Sequence, residues 1–217
     1  MLLKLRQVGK KLYSVHLPSF VNMKFKEVLS WCFLFLVLLL GFTAVSVAYL
    51  KPSYLLDLLE ISPDRVSSAI SKISPPMRLD SVKHGIFGFL LGLLTLEPGY
   101  VLFSVFTSVL IDLDHAPFLL GLSVPARISH SLIFLSLADI GYLLFFRKKE
   151  LVFVFTSSFL LHMALDKLNI PFLSPFMLSP QLPHWLRPIF VLLSFSLNLL
   201  VGRSRLREVM RVLHFRV

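Results

Sequence analysis

The chain is predicted to fold as an all-α, polytopic membrane bundle of about six transmembrane or partly re-entrant helices with basic amphipathic termini. Of its 217 residues 56% are apolar, 21 of them Phe, only 16% are charged, and the mean hydropathy is +0.79. That balance lies well above the apolar share of soluble domains. Residues 31–50 form an uncharged apolar run, about the 20 residues needed to cross a hydrocarbon core of about 30 Å. Five shorter apolar segments follow, near 84–96, 99–111, 131–146, 151–165 and 188–201, each bounded by charge or turn residues.

No Gly/Ser linker, low-complexity tract or fixed-period repeat divides the chain, so one membrane domain over 31–202 is expected. A basic arm (1–30) precedes it, a basic tail (203–217) follows it, and its chemistry-bearing core covers 83–177. The net charge of +10 sits largely in these termini, which favours membrane anchoring and orientation over nucleic-acid binding. Cys32 is the only cysteine, excluding an intrachain disulfide and a thiolate zinc site.

In the arm, Lys4, Arg6, Lys10, Lys11, Lys24 and Lys26 alternate with Leu and Val, as in an interfacial helix or a solvated basic tail. The run from Trp31 to Leu50 exceeds the h-region of a signal peptide and reads as an uncleaved anchor. Ser62-Pro63-Asp64 supplies an N-cap, Pro at N1 and an acidic first turn, predicting a surface helix over 63–74 stopped by Pro75-Pro76. Glu97-Pro98-Gly99 predicts a tight turn joining two helices into a hairpin. Each is shorter than a full span, so a site at their ends would be recessed below the headgroups.

Arg147-Lys148-Lys149-Glu150 separates the fourth and fifth segments, and Arg203, Arg205, Arg207, Arg211 and Arg216 follow the sixth. The positive-inside rule then places both termini on the cytoplasmic face of a cell (inner) membrane. The same count puts His84, Asp112, Asp114, His115, His130, His162 and Asp166 at segment ends on the non-cytoplasmic side. Ionisable groups at such depth cost about 2.5–3.5 kcal/mol each on insertion scales and are usually partnered or functional.

In Asp112-Leu113-Asp114-His115, a continued α-helix sets the two carboxylates about 200° apart. Both serve one centre only if the helix unwinds near Asp114, which Pro117 favours. His162 and Asp166 share a face at i, i+4, suited to holding one ion. Gly88 and Gly92 leave the face beneath His84 bare for a neighbouring helix. Arg127 is placed to hold an anionic group of substrate, and Ser131 is a cap or ligand support more than a nucleophile.

His84, Asp112, Asp114, His130, His162 and Asp166 are thus the expected ligands of one or two divalent ions. Such a mixed N/O set suits zinc first, manganese or iron second. Asp114, His115 and Ser131 are the candidates for catalytic or supporting roles. A metal so held activates water and polarises a carbonyl or phosphoryl oxygen, which is hydrolytic chemistry. Asp139 points away from this centre and is expected to find a partner on another helix. His184-Trp185 resembles an interfacial anchor.

His84 with Gly88, the Asp112–His115 run, His130-Ser131, and His162 followed by Asp166 and Pro175-Phe176 together resemble the membrane-bound, metal-dependent hydrolase family, the YdjM-like group. The resemblance covers roughly 83–177 and implies a prokaryotic, multi-pass inner-membrane hydrolase. Family members often carry His-Arg-Gly before a Thr-His-Ser and a Thr after the last Asp. This chain has Pro125-Ala126-Arg127-Ile128-Ser129-His130-Ser131 and Asn169, with Arg127 shifted by one residue. An ester or phosphoester substrate, lipid or lipid-linked, is expected. The competing expectations are an ion or metal transporter, with polar groups in both halves of the bilayer, and a non-catalytic assembly or regulatory protein. A Ser-His-Asp hydrolase is disfavoured, for no G-x-S-x-G is present.

Overall fold

The computed structural model describes residues 25–53, 62–73, 75–122, 127–166 and 171–214. Most of the basic arm (1–24), Asp57, Glu60, Pro125-Ala126 and Asn169 lie outside the described residues.

Helix α1 (Phe25–Leu50) carries buried Trp31, Phe35 and Leu39 at i, i+4, i+8, while Phe33, Val37 and Leu40 on its other side are exposed. Two apolar faces on one helix mark a span that meets neighbours on one side and lipid on the other. A short helix α2 (Pro63–Ser71) follows, with Ser62 Oγ accepting from Arg65 N at 3.3 Å.

Next come α3 (Pro75–Leu93) and α4 (Pro98–Leu110), a 3-10 turn (Ile111–His115) and one short turn of helix, α5 (Ala116–Leu119). Helices α6 (Leu132–Phe146) and α7 (Lys149–Leu165) form a second hairpin. Strands β1 (Pro171–Leu173) and β2 (Met177–Gln181) pair antiparallel before the last helix, α8 (Leu186–His214). All six apolar segments are therefore helices. Three stretches, Phe25–Leu50, Pro98–Leu119 and Leu186–Arg207, are long and apolar enough to cross a membrane.

Four local expectations are corrected. Helix α3 begins at Pro75-Pro76, so these prolines open a helix where Pro is tolerated, and His84 lies in mid-helix, not at an end. The turn of the first hairpin spans 94–97 and its left-handed residue is Leu96 (φ 58), while Gly99 is helical and buried in α4. The chain does not unwind at Asp112–Asp114; it tightens into 3-10 geometry and continues through Pro117 into α5. The all-helical body also carries the small β-hairpin, in a segment where Pro171, Pro175 and Pro180 oppose helix.

The core is aromatic. Trp31 stacks on Tyr100 at 5.4 Å, and Phe103, Tyr142, Phe155, Phe134 and Phe159 continue the cluster. Tyr142 Oη donates to Trp31 O at 3.0 Å, tying α6 to α1. Between α3 and α4 the backbones touch. A Cβ on Gly88 would lie 2.6 Å from Ser108 Oγ and one on Gly92 2.7 Å from Val101 Cα, so the small residues set the helix spacing. This close fit sets His84 against the end of α4.

Candidate metal centre

Seven ionisable side chains from α3, the 3-10 turn, the loop before α6 and the end of α7 converge. His84, Asp114, His130, His162 and Asp166 have fully buried side chains, while Asp112 and His115 keep 18% and 15% exposure. The open side of the pocket is therefore the 3-10 turn.

The turn's geometry explains how two neighbouring carboxylates serve one place. At three residues per turn Asp112 and His115 eclipse, and Asp114 stands about 120° from Asp112 instead of about 160°. Asp112 Oδ1 lies 3.3 Å from His162 Nε2 and 3.6 Å from His130 Nε2. Asp114 takes a different position, behind His130: its Oδ2 accepts from Ser129 N at 2.7 Å and from His130 Nδ1 at 3.0 Å.

His162 Nδ1 donates to Ser108 O at 2.7 Å. A carboxylate and a carbonyl can only accept, so both Nδ1 atoms carry protons, and a neutral ring in either place turns a bare Nε2 lone pair inward. Those two Nε2 atoms stand 2.9 Å apart. Two lone pairs so close repel, so a proton on His130 Nε2 or a metal ion has to stand between them.

Asp166 Oδ2 completes the ring, 3.4 Å from His130 Nε2 and 3.7 Å from His162 Nε2. Among His130 Nε2, His162 Nε2, Asp112 Oδ1 and Asp166 Oδ2 the five separations given run from 2.9 to 3.7 Å. Donors around an ion with bonds of about 2.0–2.1 Å stand about 3.3–3.4 Å apart. Those five spacings suit a small divalent ion.

His84 stacks on His162 with ring centroids 3.8 Å apart, and its Nε2 lies 3.2 Å from Asp166 Oδ1. Neither of its ring nitrogens makes a hydrogen bond, and both oxygens of Asp166 likewise lack one. Two adjacent groups with no residue in common are close enough to hold ions: His84, His162 and Asp166, and Asp112, His115 and His130.

The charge balance points the same way. Asp112, Asp114 and Asp166 face one guanidinium, that of Arg127, a formal deficit of two positive charges. Burial alone lowers the His130 imidazole, but Asp114, Asp112 and Asp166 outweigh it and hold its pKa well above the ordinary value. Burial raises the Asp166 carboxyl, yet His84, His162, His130 and Arg127 pull it far below the usual carboxylate range. Positive charge is favoured here, as proton or as metal.

Asp114 and Arg127 stand elsewhere than expected, and Ser131 is the cap that was expected. Asp114 belongs to neither ligand group and orients His130 instead. Arg127, expected to hold substrate, is buried and paired with Asp166, its backbone left-handed at φ 69. Ser131 is the N-cap of α6, accepting from Phe134 N at 3.1 Å, so its hydroxyl serves the helix. Asp139 finds its partner in Thr156, whose Oγ1 lies 2.9 Å from both carboxylate oxygens. Trp185 and His184 are exposed near the start of α8.

Sequence reasoning missed Asp80, 3.6 Å from His84 Nε2 one turn earlier, and the supporting Ser108 carbonyl. It also missed a buried polar seam running from the centre into the bundle. Ser104 meets Ser158 at 2.8 Å, and Ser157 donates to Asn198 at 2.7 Å, whose Nδ2 donates to Leu91 O at 2.8 Å. The Ser104, Thr107, Ser108 spacing in α4 was the available signal.

No family model matches this chain, and no curated protein and no solved structure matches it either.

Proposed function

We propose that this chain is a membrane-embedded, metal-dependent hydrolase in which His130, His162, Asp112 and Asp166 hold a divalent ion, zinc first, with His84 and Asp166 able to share a second. The observation that carries the reading is the pair of inward Nε2 atoms 2.9 Å apart, each with its proton committed to an acceptor behind it. When bound, such an ion lowers the pKa of a coordinated water towards about 7 and polarises a carbonyl or phosphoryl oxygen.

The residues divide the remaining work. Asp114 and the Ser108 carbonyl hold the imidazoles in the required tautomer. Arg127 offsets one carboxylate, so the pocket keeps two uncompensated negative charges. His115, partly exposed and 3.9 Å from Asp112 Oδ1, is the group placed to take a proton from water entering on the open side. The resemblance to the YdjM-like hydrolases, an inner-membrane location with cytoplasmic termini, and an ester or phosphoester substrate of the outer leaflet belong to this same proposal.

A second reading, ion transport, is favoured by the seam of Ser104, Ser158, Ser157 and Asn198 leading away from the centre. The two separate by experiment. Metal content of the purified protein is measured beside a His162→Ala, Asp166→Ala double variant, with hydrolysis of nitrophenyl esters and phosphodiesters before and after chelation. Loss of metal in the variant and loss of hydrolysis on chelation are expected. Equal metal in both proteins overturns the ligand assignment, and metal flux into vesicles without hydrolysis selects transport.

A further inference from the structure

Helix α2 is nine residues long and Ala69 is its one buried residue. A helix needs about 12–15 residues to hold itself in water, so a shorter one depends on what covers its apolar face. Taking 100° per residue, Pro63, Val66 and Ile70 fall within an arc of about 60°, Asp64, Ser68 and Ser71 lie about 110–170° from its centre, and Ser67 stands at its edge. Val66 and Ile70 are 42% and 60% exposed. Amphipathic and laid open on its apolar side, α2 has the composition of a helix lying in a membrane interface.

Its depth is set by its neighbour. Lys72 Nζ donates to Leu119 O at 3.4 Å, and α2 packs on α5. Leu119 is the last residue of the Pro98–Leu119 candidate span, so α2 is tied to the point where a span leaves the hydrocarbon. The connection also reaches the centre. Helix α5 starts one residue after His115, and Leu113 and Phe118 beside it are 41% and 56% exposed. Exposed apolar side chains thus lie both on α2, at Val66 and Ile70, and on the stretch of chain it packs against, at Leu113 and Phe118, next to Asp112 and His115, the two members of the cluster that are not sealed off.

We propose that the Val66–Ile70 face of α2 lies in the headgroup boundary of the same bilayer, beside the open side of the His/Asp pocket, and presents lipid-borne substrate to it. The placement stands on the helix itself, while the presentation of substrate rests on the hydrolase reading above.

The test separates these. In a Cys32→Ser background, single cysteines replacing Asp64, Val66, Ser67, Ser68 and Ile70 are spin-labelled, and the protein is placed in phosphatidylcholine–phosphatidylglycerol nanodiscs. Collision with oxygen, which partitions into lipid, is compared with collision with a water-soluble nickel chelate. Labels at 66 and 70 should favour oxygen and those at 64 and 68 nickel, with 67 between them, in helical alternation. Uniform nickel access overturns the placement, as does dipolar broadening between labels at 66, which assigns the face to a second copy.

A Val66→Glu, Ile70→Glu variant then addresses substrate. Hydrolysis of a long-chain lipid ester or phosphoester should fall by about tenfold or more, with a short-chain soluble analogue unaffected. Equal loss on both overturns presentation from the bilayer. Absence of hydrolysis by the unaltered protein sinks the hydrolase reading and the presentation with it, and leaves the collision profile to decide the placement.

Discussion

Asp114→Asn isolates what the carboxylate behind His130 does. In the native protein Asp114 Oδ2 accepts both Ser129 N–H and His130 Nδ1–H, at 2.7 and 3.0 Å. An amide keeps the shape but has one acceptor atom and no charge. With its oxygen in the Oδ2 position the amide keeps both bonds and its NH2 takes the Oδ1 position, 3.7 Å from His115 Nε2. What is lost is the negative charge behind the imidazole, which leaves Nε2 a weaker donor to a metal. Loss of such an orienting partner costs 10–100-fold in affinity, about 1.4–2.8 kcal/mol. A zinc titration against a chromogenic chelator measures it, with circular dichroism as a control on folding. The reasoning is refuted if Asp114→Asn binds zinc as tightly as the native protein, or if it loses as much as Asp112→Asn, which removes a ligand outright.

Gly88→Ala should destabilise by about 1–3 kcal/mol, since its methyl would meet Ser108 Oγ at 2.6 Å and Ser104 O at 2.9 Å. Gly41→Ala, with nothing within 4 Å, should be neutral or slightly stabilising in the same melting experiment. Tyr142→Phe removes the buried bond to Trp31 O at 3.0 Å and should cost about 1 kcal/mol without changing metal content. Metal affinity should weaken as pH falls from about 8 to about 6, because protons compete for the imidazoles; a flat profile would argue for carboxylate ligands alone. Asp112→Asn should lower the melting temperature of metal-loaded protein more than that of metal-free protein, in which only the contacts to His130 and His162 are lost. An equal fall in both states would mark Asp112 as structural.

Much of the fold was legible because lipid and core impose simple patterns. The uncharged run from Trp31 to Leu50 gave α1, and Ser62-Pro63-Asp64 gave the cap of α2. The boundaries that went astray share a cause. Pro75-Pro76 can stop one helix or start the next, and only the packing of α3 on α4 selects the second. Likewise Glu97-Pro98-Gly99 holds strong turn residues, yet the left-handed position fell to Leu96 because Pro98 is better used at N1 of α4. At the candidate centre, residue types and topology sufficed to nominate the cluster. The division of labour within it depended on backbone that spacing does not encode. The 3-10 turn separates Asp112, which faces both imidazoles, from Asp114, which backs one, and the left-handed Arg127 turns its guanidinium onto Asp166.

A cluster kept only for structure has a different signature from this one. Buried ionic groups that serve stability are worth having when every donor and acceptor is matched, since an unmatched buried polar atom costs about 1–3 kcal/mol and a charged one more. Here Ser129, Ser108 and Arg127 spend three good contacts on the outer edges of His130, His162, Asp114 and Asp166. The inner edges are less well matched: His84 Nε2 makes no hydrogen bond, Asp166 Oδ2 is shared between Arg127 and the two imidazoles, and two Nε2 atoms are held at 2.9 Å. Such a centre favours positive charge in its middle, as proton or as metal. Because Asp112 and His115 alone of the seven keep exposure, the cluster opens to its surroundings over the 3-10 turn, which continues into α5.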